Sequence, residues 1–380
     1  MNLAYTDEHL MVRDTIRDFA QAELAPGVAE RDEKEIVPIE ALKKLGELGF
    51  MGITVPVENG GAGLDMISYA IAIEEIARVD ASCAIIVSVH NSLVGYPLEK
   101  FATPEQKECI LKPLASGQTI GAFALTEAGA GSDAGAMKTT VIRDGDYYIL
   151  NGAKNFISTG ATCNVMLVIA LTDPSKGPKG ASAFIVEKGT PGFNVGKKEH
   201  KMGIRGSDCV EICFSDCRVP VANRLGEEGA GFKIALTALN SGRVGVACQA
   251  LGIAQACYEE SVKYSKERVQ FGQPIAAFQA TRFKIARMAT EIDAGRWLVY
   301  SACHKKDKDE PFIKEAAMAK LYCSELAVRT ALEAVQIHGG YGYIKEYPVE
   351  RFLRDSKITT IYEGTNEIMH LVIAEQVMGR

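Results

Sequence analysis

The sequence predicts an α+β multidomain protein, with a helical N-terminal domain over residues 1–117, a small β-barrel or sandwich over residues 118–225 and a four-helix bundle over residues 226–380. Three observations lead to this prediction. The chain has 380 residues, more than one ordinary hydrophobic core needs. Apolar residues recur at helical spacing near both ends of the chain. Between these regions, short apolar runs alternate with Gly and Asn turns, which is typical of strands.

The first domain is predicted to be helical. Residues 7–22 place apolar side chains among charged ones at helical intervals, and residues 66–77 and 84–98 continue in this way. Thr103, followed by Pro104, indicates the start of another helix, because its hydroxyl can cap the first turn and proline fits there.

The character changes near Thr119. Turn signals such as Asp144-Gly145 and Asn151-Gly152 separate short apolar runs, which we interpret as strands at residues 141–142, 147–150, 165–171, 183–186 and 210–214. From about Gly231 the helical spacing returns and continues to the end of the chain.

Charge and hydropathy exclude several classes of function. The formal net charge is -6, so no overall attraction to nucleic acid or to an anionic membrane is expected. The sequence contains no run of eighteen apolar residues, and its acidic N-terminus resembles neither a signal nor a transit peptide. We expect a cytoplasmic bacterial protein, or a mitochondrial matrix protein if the chain is a processed eukaryotic form.

The ten cysteines are scattered and include no Cys-x-x-Cys pair. Cys209, Cys213 and Cys217 are spaced by four in a predicted strand, which would place all three on one buried face. We therefore predict free thiols in a reducing compartment and no metal site.

A glycine-rich stretch, residues 129–134, matches the dinucleotide-binding pattern Gly-x-Gly-x-x-Gly/Ala. That fold also needs a helix that begins at this point and a second parallel strand. Residues 137–148 instead suggest a strand pair with an Asp-Gly turn, so we interpret the stretch as a loop that can offer backbone N–H groups to a ligand.

Several long stretches resemble the acyl-CoA dehydrogenase family from about residue 4 to the C-terminus. Residues 123–133 (Phe-Ala-Leu-Thr-Glu-Ala-Gly-Ala-Gly-Ser-Asp) resemble its first signature, and residues 336–343 (Gln-Ile-His-Gly-Gly-Tyr-Gly-Tyr) resemble its second. Residues 361–368 (Ile-Tyr-Glu-Gly-Thr-Asn-Glu-Ile) are similar to its catalytic segment. The short-chain, butyryl-CoA type is most similar, through residues 201–207 and 311–320.

This resemblance implies FAD-dependent dehydrogenation of an acyl-CoA thioester to the trans-2-enoyl-CoA. A flavin must accept the β-hydride, because no side chain can. Glu363 matches the base that removes the α-proton, and a carboxylate in an apolar pocket suits that role. Some relatives place the base at the position of Gly242, which has no side chain that could serve here.

The resemblance also assigns binding residues. The flavin ring and phosphates are expected to contact a first group, namely Phe123, Leu125, Thr126, Ser132, Phe156 and Ser158. The FAD shared with a neighbouring subunit is expected to contact a second group, namely Arg268, Gln279, Gln336, Gly339, Gly340, Thr365 and Glu367. The acyl-CoA is expected to contact Ser132, Asn240, Arg243 and Gly364, with Asn240 replacing the family's usual Asp.

The implied partners are the acyl-CoA substrate, an electron-transfer flavoprotein and further copies of the chain, as a homotetramer built as a dimer of dimers. His90 and His338 receive no catalytic role and are expected to be packed side chains. Four alternatives remain: an enzyme for branched or alicyclic acyl-CoA esters, an acyl-CoA oxidase, a non-catalytic CoA-ester-binding protein and a nicotinamide dehydrogenase.

Overall fold

The elements follow the predicted order of helices, strands and helices in the computed structural model, which describes residues 5–379. Residues 1–4 and residue 380, included in the predicted first and last domains, lie outside this range. The first helices are α1 (Asp7–Phe19), α2 (Val28–Lys34), α3 (Ile39–Glu47), α4 (Met66–Ala77), α5 (Ala81–Val89), α6 (Tyr96–Phe101), α7 (Pro104–Gln106) and α8 (Lys112–Ala115). The larger strands are β1 (Gly121–Ala124), β2 (Thr140–Asp144), β3 (Tyr147–Ser158), β4 (Val165–Leu171), β5 (Ala181–Glu187), β6 (Phe193–Lys198), β7 (Cys209–Pro220) and β8 (Arg224–Leu225).

The C-terminal part begins with the long helix α9 (Gly231–Glu267) and a two-stranded ribbon of β9 (Val269–Gln270) and β10 (Gln273–Pro274). It continues with α10 (Gln279–Asp307), α11 (Ile313–His338), α12 (Val349–Ile358) and α13 (Asn366–Met378). Helix α9 packs on α10 and α11 and also on α4 and α5. The N-terminal and C-terminal helices therefore share one hydrophobic core, with Ile73 and Leu251 among its members.

Capping determines where several helices begin. The Thr103 hydroxyl accepts the N–H of Gln106 at 3.2 Å, and the Gln106 side chain accepts the N–H of Thr103 at 3.1 Å. This reciprocal pair satisfies two N–H groups of the first turn, so the predicted helix start is confirmed. Asp65 caps α4 in a similar way by accepting the N–H of Ser68 at 2.8 Å.

Helices α5 and α6 join through a π-helical turn, His90–Gly95. The combined helix, Ala81–Phe101, is the one candidate among residues 5–379 with the length and hydropathy to cross a membrane. However, 94% of its apolar window is buried by the rest of the protein. Its apolar surface is therefore part of the core.

The eight larger strands form one mixed sheet in the order β6-β7-β3-β2-β4-β5-β8, and β1 pairs with β4 in parallel. Strand β4 is buried on both faces, which explains its continuous apolar sequence. Leu167 and Ile169 pack against the helices. Met166 and Val168 lie on the opposite face of β4 and pack against side chains of other strands. The hairpin at Asp144-Gly145 agrees with the prediction, but the exposed strand β6 was missed because it has no apolar run.

One expectation about the cysteines is wrong. Cys209 and Cys217 are buried, but Cys213 is only half-buried, on the face opposite Phe214. The register of β3 and β7 shifts between Phe214 and Cys217, where Asp216 has a φ of 48°. This bulge reverses the alternation of faces, so a spacing of four no longer keeps the side chains together.

Candidate active site

Glu363 lies in the turn between α12 and α13. Its φ is 54°, and that of the following Gly364 is 100°. The left-handed conformation suits glycine but strains glutamate, and such strain persists only where surrounding contacts hold it. The contacts of this turn are therefore the first feature of the site.

Three helices hold the turn in place. Lys320 of α11 donates to the carbonyl of Gly364 at 2.8 Å, and Arg243 of α9 approaches the carbonyl of Glu363 at 3.5 Å. The Tyr362 hydroxyl bonds the side chain of Gln249, which in turn donates to the carbonyl of Ala81 at the start of α5. The backbone of the turn is thus fixed from both sides.

The Glu363 carboxylate points into the protein. Both of its oxygens are buried, and neither has a hydrogen-bond partner among residues 5–379. A Cβ atom added at Gly242 would lie 1.8 Å from Oε2 of Glu363, so the carboxylate occupies the space that the missing side chain leaves. A buried, unpaired carboxylate is costly and is a feature of functional sites.

Burial raises the pKa of Glu363 from its usual value to about 8. The positive charges of Arg243 and Lys320 lower this pKa, but burial outweighs them. A carboxyl group with a pKa near neutrality can accept a proton from a weak acid and can also return it.

This raised pKa predicts that the contribution of Glu363 to the stability of the protein decreases as the pH rises. That contribution should be greatest below the unfolded pKa near 4.5, fall as the pH approaches 8, and then level off. Each unit of raised pKa corresponds to about 1.4 kcal/mol, so the fall should amount to a few kcal/mol. Denaturant unfolding at several pH values measures it. The change from Glu363 to Gln should remove this fall, and an unchanged pH dependence in that variant would contradict the burial argument.

A cavity of about 530 Å³ opens beside the carboxylate. The sequence-predicted residues that line it come from β1, the loop after β1, the end of β3, α9 and the turn at Glu363, namely Phe123, Leu125, Thr126, Ser132, Phe156, Ser158, Arg243, Glu363 and Gly364. The fold therefore collects residues that lie up to 241 positions apart. Asn240 is not among the lining residues, but it lies next to Leu239, which lines the cavity, and accepts a hydrogen bond from Nη1 of Arg243 at 2.8 Å.

Phe156 is a conspicuous member of this cavity. Its side chain is 64% exposed, and its φ is 57°, at a break in the pairing of β3 with β7. An exposed aromatic ring on strained backbone is unfavourable in the free protein. The ring is therefore available to stack on a flat ligand in the cavity.

A buried ion pair fixes the loop after β1. Lys154 is fully buried and donates to Glu127 at 2.7 Å and to the carbonyl of Leu125 at 3.0 Å. Glu127 also accepts the backbone N–H groups of Lys138 and Thr139. Leu125 and Thr126 consequently present a fixed backbone to the cavity. The glycine-rich stretch that follows opens no long helix, since Ala134–Ala136 forms a single 3-10 turn, in agreement with the loop interpretation.

The remaining predicted cofactor residues do not line the cavity beside Glu363. Arg268, Gly339 and Gly340 line a second cavity of about 490 Å³, and Thr365 and Glu367 line a third of about 430 Å³. Gln336 is exposed in the last turn of α11, and Gln279 is exposed at the start of α10. Their role at a shared cofactor stays a prediction.

Both histidines are packed side chains, as expected. His90 is buried, with Nε2 at 3.0 Å from the carbonyl of Leu114 and Nδ1 at 3.1 Å from the N–H of Gly121. Burial lowers the pKa of His90 to about 4. His338 is buried and stacks on Tyr264 with ring centres 4.2 Å apart.

Gly242→Ala should displace the carboxylate. The added methyl group would meet the Glu363 side chain and also Cδ2 of Leu93 at 2.8 Å. A shift of about 1 Å at a reacting group can cost about 10²-fold in rate, and we expect a loss of that order. Single-turnover kinetics of the purified variant measures it. Gly295→Ala is the control, because its methyl group would meet only side-chain atoms at 3.0 Å or more. Equal rates for the two variants would contradict this placement of the carboxylate.

Several residues of the site were not found from the sequence. Gln249 and Lys320 hold the turn at Glu363, and Leu93, Phe232 and Leu239 line the cavity. Each of these residues lies in a helical segment whose sequence pattern does not distinguish it from its neighbours. No local signal relates these residues to a turn that lies between 43 and 270 positions away.

The chain is similar to known protein families over most of its length. Three family descriptions match the chain: the acyl-CoA dehydrogenase N-terminal domain over residues 6–118, the middle domain over residues 122–217 and the C-terminal domain over residues 229–378.

Two relatives match over nearly their whole length. The short-chain specific acyl-CoA dehydrogenase of Clostridium acetobutylicum is 46% identical over 99% of this chain and 100% of its own. The acryloyl-CoA reductase (NADH) of Anaerotignum propionicum is 50% identical over 100% of this chain and 97% of its own.

Two solved structures share the fold. Butyryl-CoA dehydrogenase from Megasphaera elsdenii matches with a TM-score of 0.98 and 48% identity, over all of both chains. A chain in the structural work on the electron transferring flavoprotein of Acidaminococcus fermentans matches with a TM-score of 0.99 and 49% identity, also over all of both chains.

Proposed function

The chain belongs to the acyl-CoA dehydrogenase family, and we propose that it dehydrogenates a short acyl-CoA thioester, of the size of butyryl-CoA, to the trans-2-enoyl-CoA. The observation that carries this proposal is the Glu363 carboxylate, which is buried, unpaired among residues 5–379 and adjacent to a cavity. Its pKa of about 8 suits a base that removes the α-proton of a thioester.

The residues around Glu363 fit FAD. Phe156 offers an exposed aromatic face, and Thr126 and Ser158 bring hydroxyl groups to the same cavity. A Cβ atom at Gly131 would meet nothing within 4 Å, so the loop leaves room for a phosphate group near Ser132. When bound, the flavin supplies the acceptor for the β-hydride, which no side chain can replace.

The protein's own residues bind the thioester, orient it and take its proton. By the family resemblance, the backbone N–H of Glu363 would donate to the thioester oxygen, where negative charge develops as the α-proton leaves. The proton moves to the carboxylate of Glu363, which becomes a neutral acid and is then well suited to its buried position. Arg243 and Gly364 line the cavity, and Asn240 bonds Arg243, which supports the proposal that these residues bind the acyl-CoA.

A short acyl group suits the apolar part of the cavity lining. The buried side chains of Val89 and Leu93 belong to it, and the carboxylate already fills the space beside Gly242. Branched or alicyclic acyl groups of similar volume are the alternative substrates. A non-catalytic binding protein would have no use for a strained, buried carboxylate.

An electron-transfer flavoprotein is the proposed electron acceptor. Support comes from the similarity to a chain in the work on the Acidaminococcus flavoprotein. The reverse reaction, reduction of a short 2-enoyl-CoA, is the second candidate, favoured by the similarity to the acryloyl-CoA reductase. The same Glu363 would then return its proton to the α-carbon, as its pKa near neutrality permits.

We further propose that the protein is a homotetramer in which FAD is shared between subunits. Support comes from the second and third cavities, since their predicted cofactor residues lie apart from the cavity beside Glu363. Analytical ultracentrifugation with and without FAD tests this proposal, and a stable FAD-bound monomer would contradict it. The free thiols support a reducing compartment, either the bacterial cytoplasm or the mitochondrial matrix.

A panel of acyl-CoA thioesters tests the proposed function. Linear esters of increasing length, together with branched and alicyclic ones, are mixed with the FAD-bound protein under anaerobic conditions, and flavin bleaching is followed. We expect the fastest bleaching with butyryl-CoA. Bleaching by none of the esters would contradict the proposed function, and a faster branched ester would change the substrate. Oxygen consumption that replaces reduction of an artificial acceptor would favour an oxidase, and NADH formation would favour a nicotinamide dehydrogenase.

A further inference from the structure

Lys320 is a lysine with no solvent-exposed surface, and it contacts the turn formed by Glu363 and Gly364. Its ammonium group donates to the carbonyl of Gly364 at 2.8 Å and to Oδ1 of Asn366 at 2.9 Å. Ser324, one turn further along α11, donates to the same Asn366 oxygen at 3.0 Å. Because Lys320 is fully enclosed by protein, it cannot touch a ligand and can act only through the turn.

The turn has a particular need for such a contact. Glu363 and Gly364 both have positive φ angles, and their two carbonyl groups face different cations. Arg243 of α9 approaches the carbonyl of Glu363, and Lys320 of α11 binds the carbonyl of Gly364. Arg243 lines the cavity and is available to a ligand, whereas Lys320 is not.

The positive charge of Lys320 also lowers the pKa of the Glu363 carboxyl group. The titratable groups around the Glu363 carboxylate are Arg243, Lys320, Tyr69 of α4 and Tyr362 of the turn itself. Burial raises the pKa values of both tyrosines, so these two groups are neutral. Burial lowers the pKa of Lys320 to about 8, against the opposing negative charges of Glu363 and of Glu367 of α13. The positive charges that favour the Glu363 carboxylate thus come from Arg243 and Lys320.

We propose that Lys320 is a positioning residue for the dehydrogenation, which holds the strained turn through Gly364 and Asn366 and favours the charged form of the Glu363 side chain that faces the cavity. This role rests on the proposed function, in which Glu363 is the base. Part of the electrostatic control of the base then comes from Lys320, a side chain outside the ligand cavity, and the other part comes from Arg243.

The test compares replacements of Lys320 that separate contact from charge. Lys320→Met removes both, Lys320→Gln keeps a donor for the Gly364 carbonyl without the charge, and Lys320→Arg keeps the charge. Ser324→Ala is the matched control, because it removes another hydrogen bond to Asn366 and leaves the lysine in place.

The first measurement is the pH dependence of flavin bleaching by butyryl-CoA in single turnover with the FAD-bound protein. Loss of a neighbouring cation raises a carboxyl pKa by about one unit or more. We therefore expect the midpoint of the pH profile to rise by about one unit in the Met and Gln variants, with about a tenfold lower rate at neutral pH and little change in KM. The Arg variant should restore the midpoint, and Ser324→Ala should leave it unchanged.

The second measurement does not depend on activity. The pH dependence of unfolding of the FAD-bound protein, compared with and without Glu363→Gln, reports the pKa of Glu363 directly. The pH at which the stability stops falling should rise by about one unit in the Met and Gln variants.

Folded Met and Gln variants with unchanged midpoints in both measurements would overturn the proposal, as would an equal shift in Ser324→Ala. If Lys320→Met does not fold, Lys320→Gln decides the result by the same criteria. If none of the thioesters bleaches the flavin of the wild-type protein, the proposed function fails. The unfolding measurement then still tests the influence of Lys320 on Glu363.

Discussion

Glu363→Gln should bind FAD and substrate as the wild-type protein does but should bleach about 10²–10⁴-fold more slowly, which is the typical contribution of general-base catalysis. Glutamine has nearly the same shape and can occupy the space beside Gly242 that the carboxylate fills. It cannot accept the α-proton, so the binding steps should survive while the chemical step fails. Flavin absorbance, the substrate dissociation constant and the single-turnover bleaching rate separate these effects.

Glu310→Gln is the control for this variant, because Glu310 is an exposed carboxylate far along the chain from the cavity residues. It should bleach at the wild-type rate. Normal turnover by Glu363→Gln would show that the base has been misassigned. Loss of FAD from that variant would instead show that Glu363 has a structural role that its lack of hydrogen-bond partners among residues 5–379 does not suggest.

Lys154→Met should destabilise the protein by about 3–5 kcal/mol, because removal of one partner of a buried ion pair leaves the other buried and unpaired. Lys154 has no exposed surface and holds both Glu127 and the carbonyl of Leu125. Burial acts to raise the pKa of Glu127, but the bond to Lys154 and its charge lower this pKa below the usual value. The variant should also bind FAD more weakly, since Leu125 and Thr126 would no longer be fixed. Denaturant unfolding and flavin titration measure the two effects.

Two further variants make this result interpretable. Lys34→Met breaks an exposed ion pair of the same 2.7 Å length, with Glu30, and should leave the melting temperature unchanged. In the double variant of Lys154→Met with Glu127→Gln, no unpaired buried charge remains, so the loss should be smaller than the sum of the two single losses. Strict additivity would exclude a direct interaction between the two side chains.

Much of this architecture could be predicted from local patterns. The 3.6-residue period identified the helical regions near both ends of the chain. The Asp144-Gly145 turn signal identified the hairpin, and a continuous apolar run identified the strand Val165–Leu171. The capping residue Thr103 is a local signal for a local event and was correct. Strand β6 has exposed side chains and no such pattern, and it was missed.

The bulge at Asp216 shows where periodicity stops being informative. One extra residue between Phe214 and Cys217 placed Cys217 on the opposite face of the strand from Cys209 and Cys213. The bulge depends on how β7 pairs with β3, which the sequence of β7 does not contain.

The sequence by itself determined the order of the elements and the family, and it singled out Glu363 as the proposed base, because these follow from neighbouring residues and from long continuous stretches. Only the tertiary structure decided that the carboxylate is buried beside Gly242, that Lys320 and Gln249 hold its turn, and that the predicted cofactor residues fall into separate cavities. The physical reason is that burial, and with it the pKa of Glu363, depends on groups brought together from α4, α9 and α11. Such long-range contacts arise from packing and have no spacing that can be read along the chain.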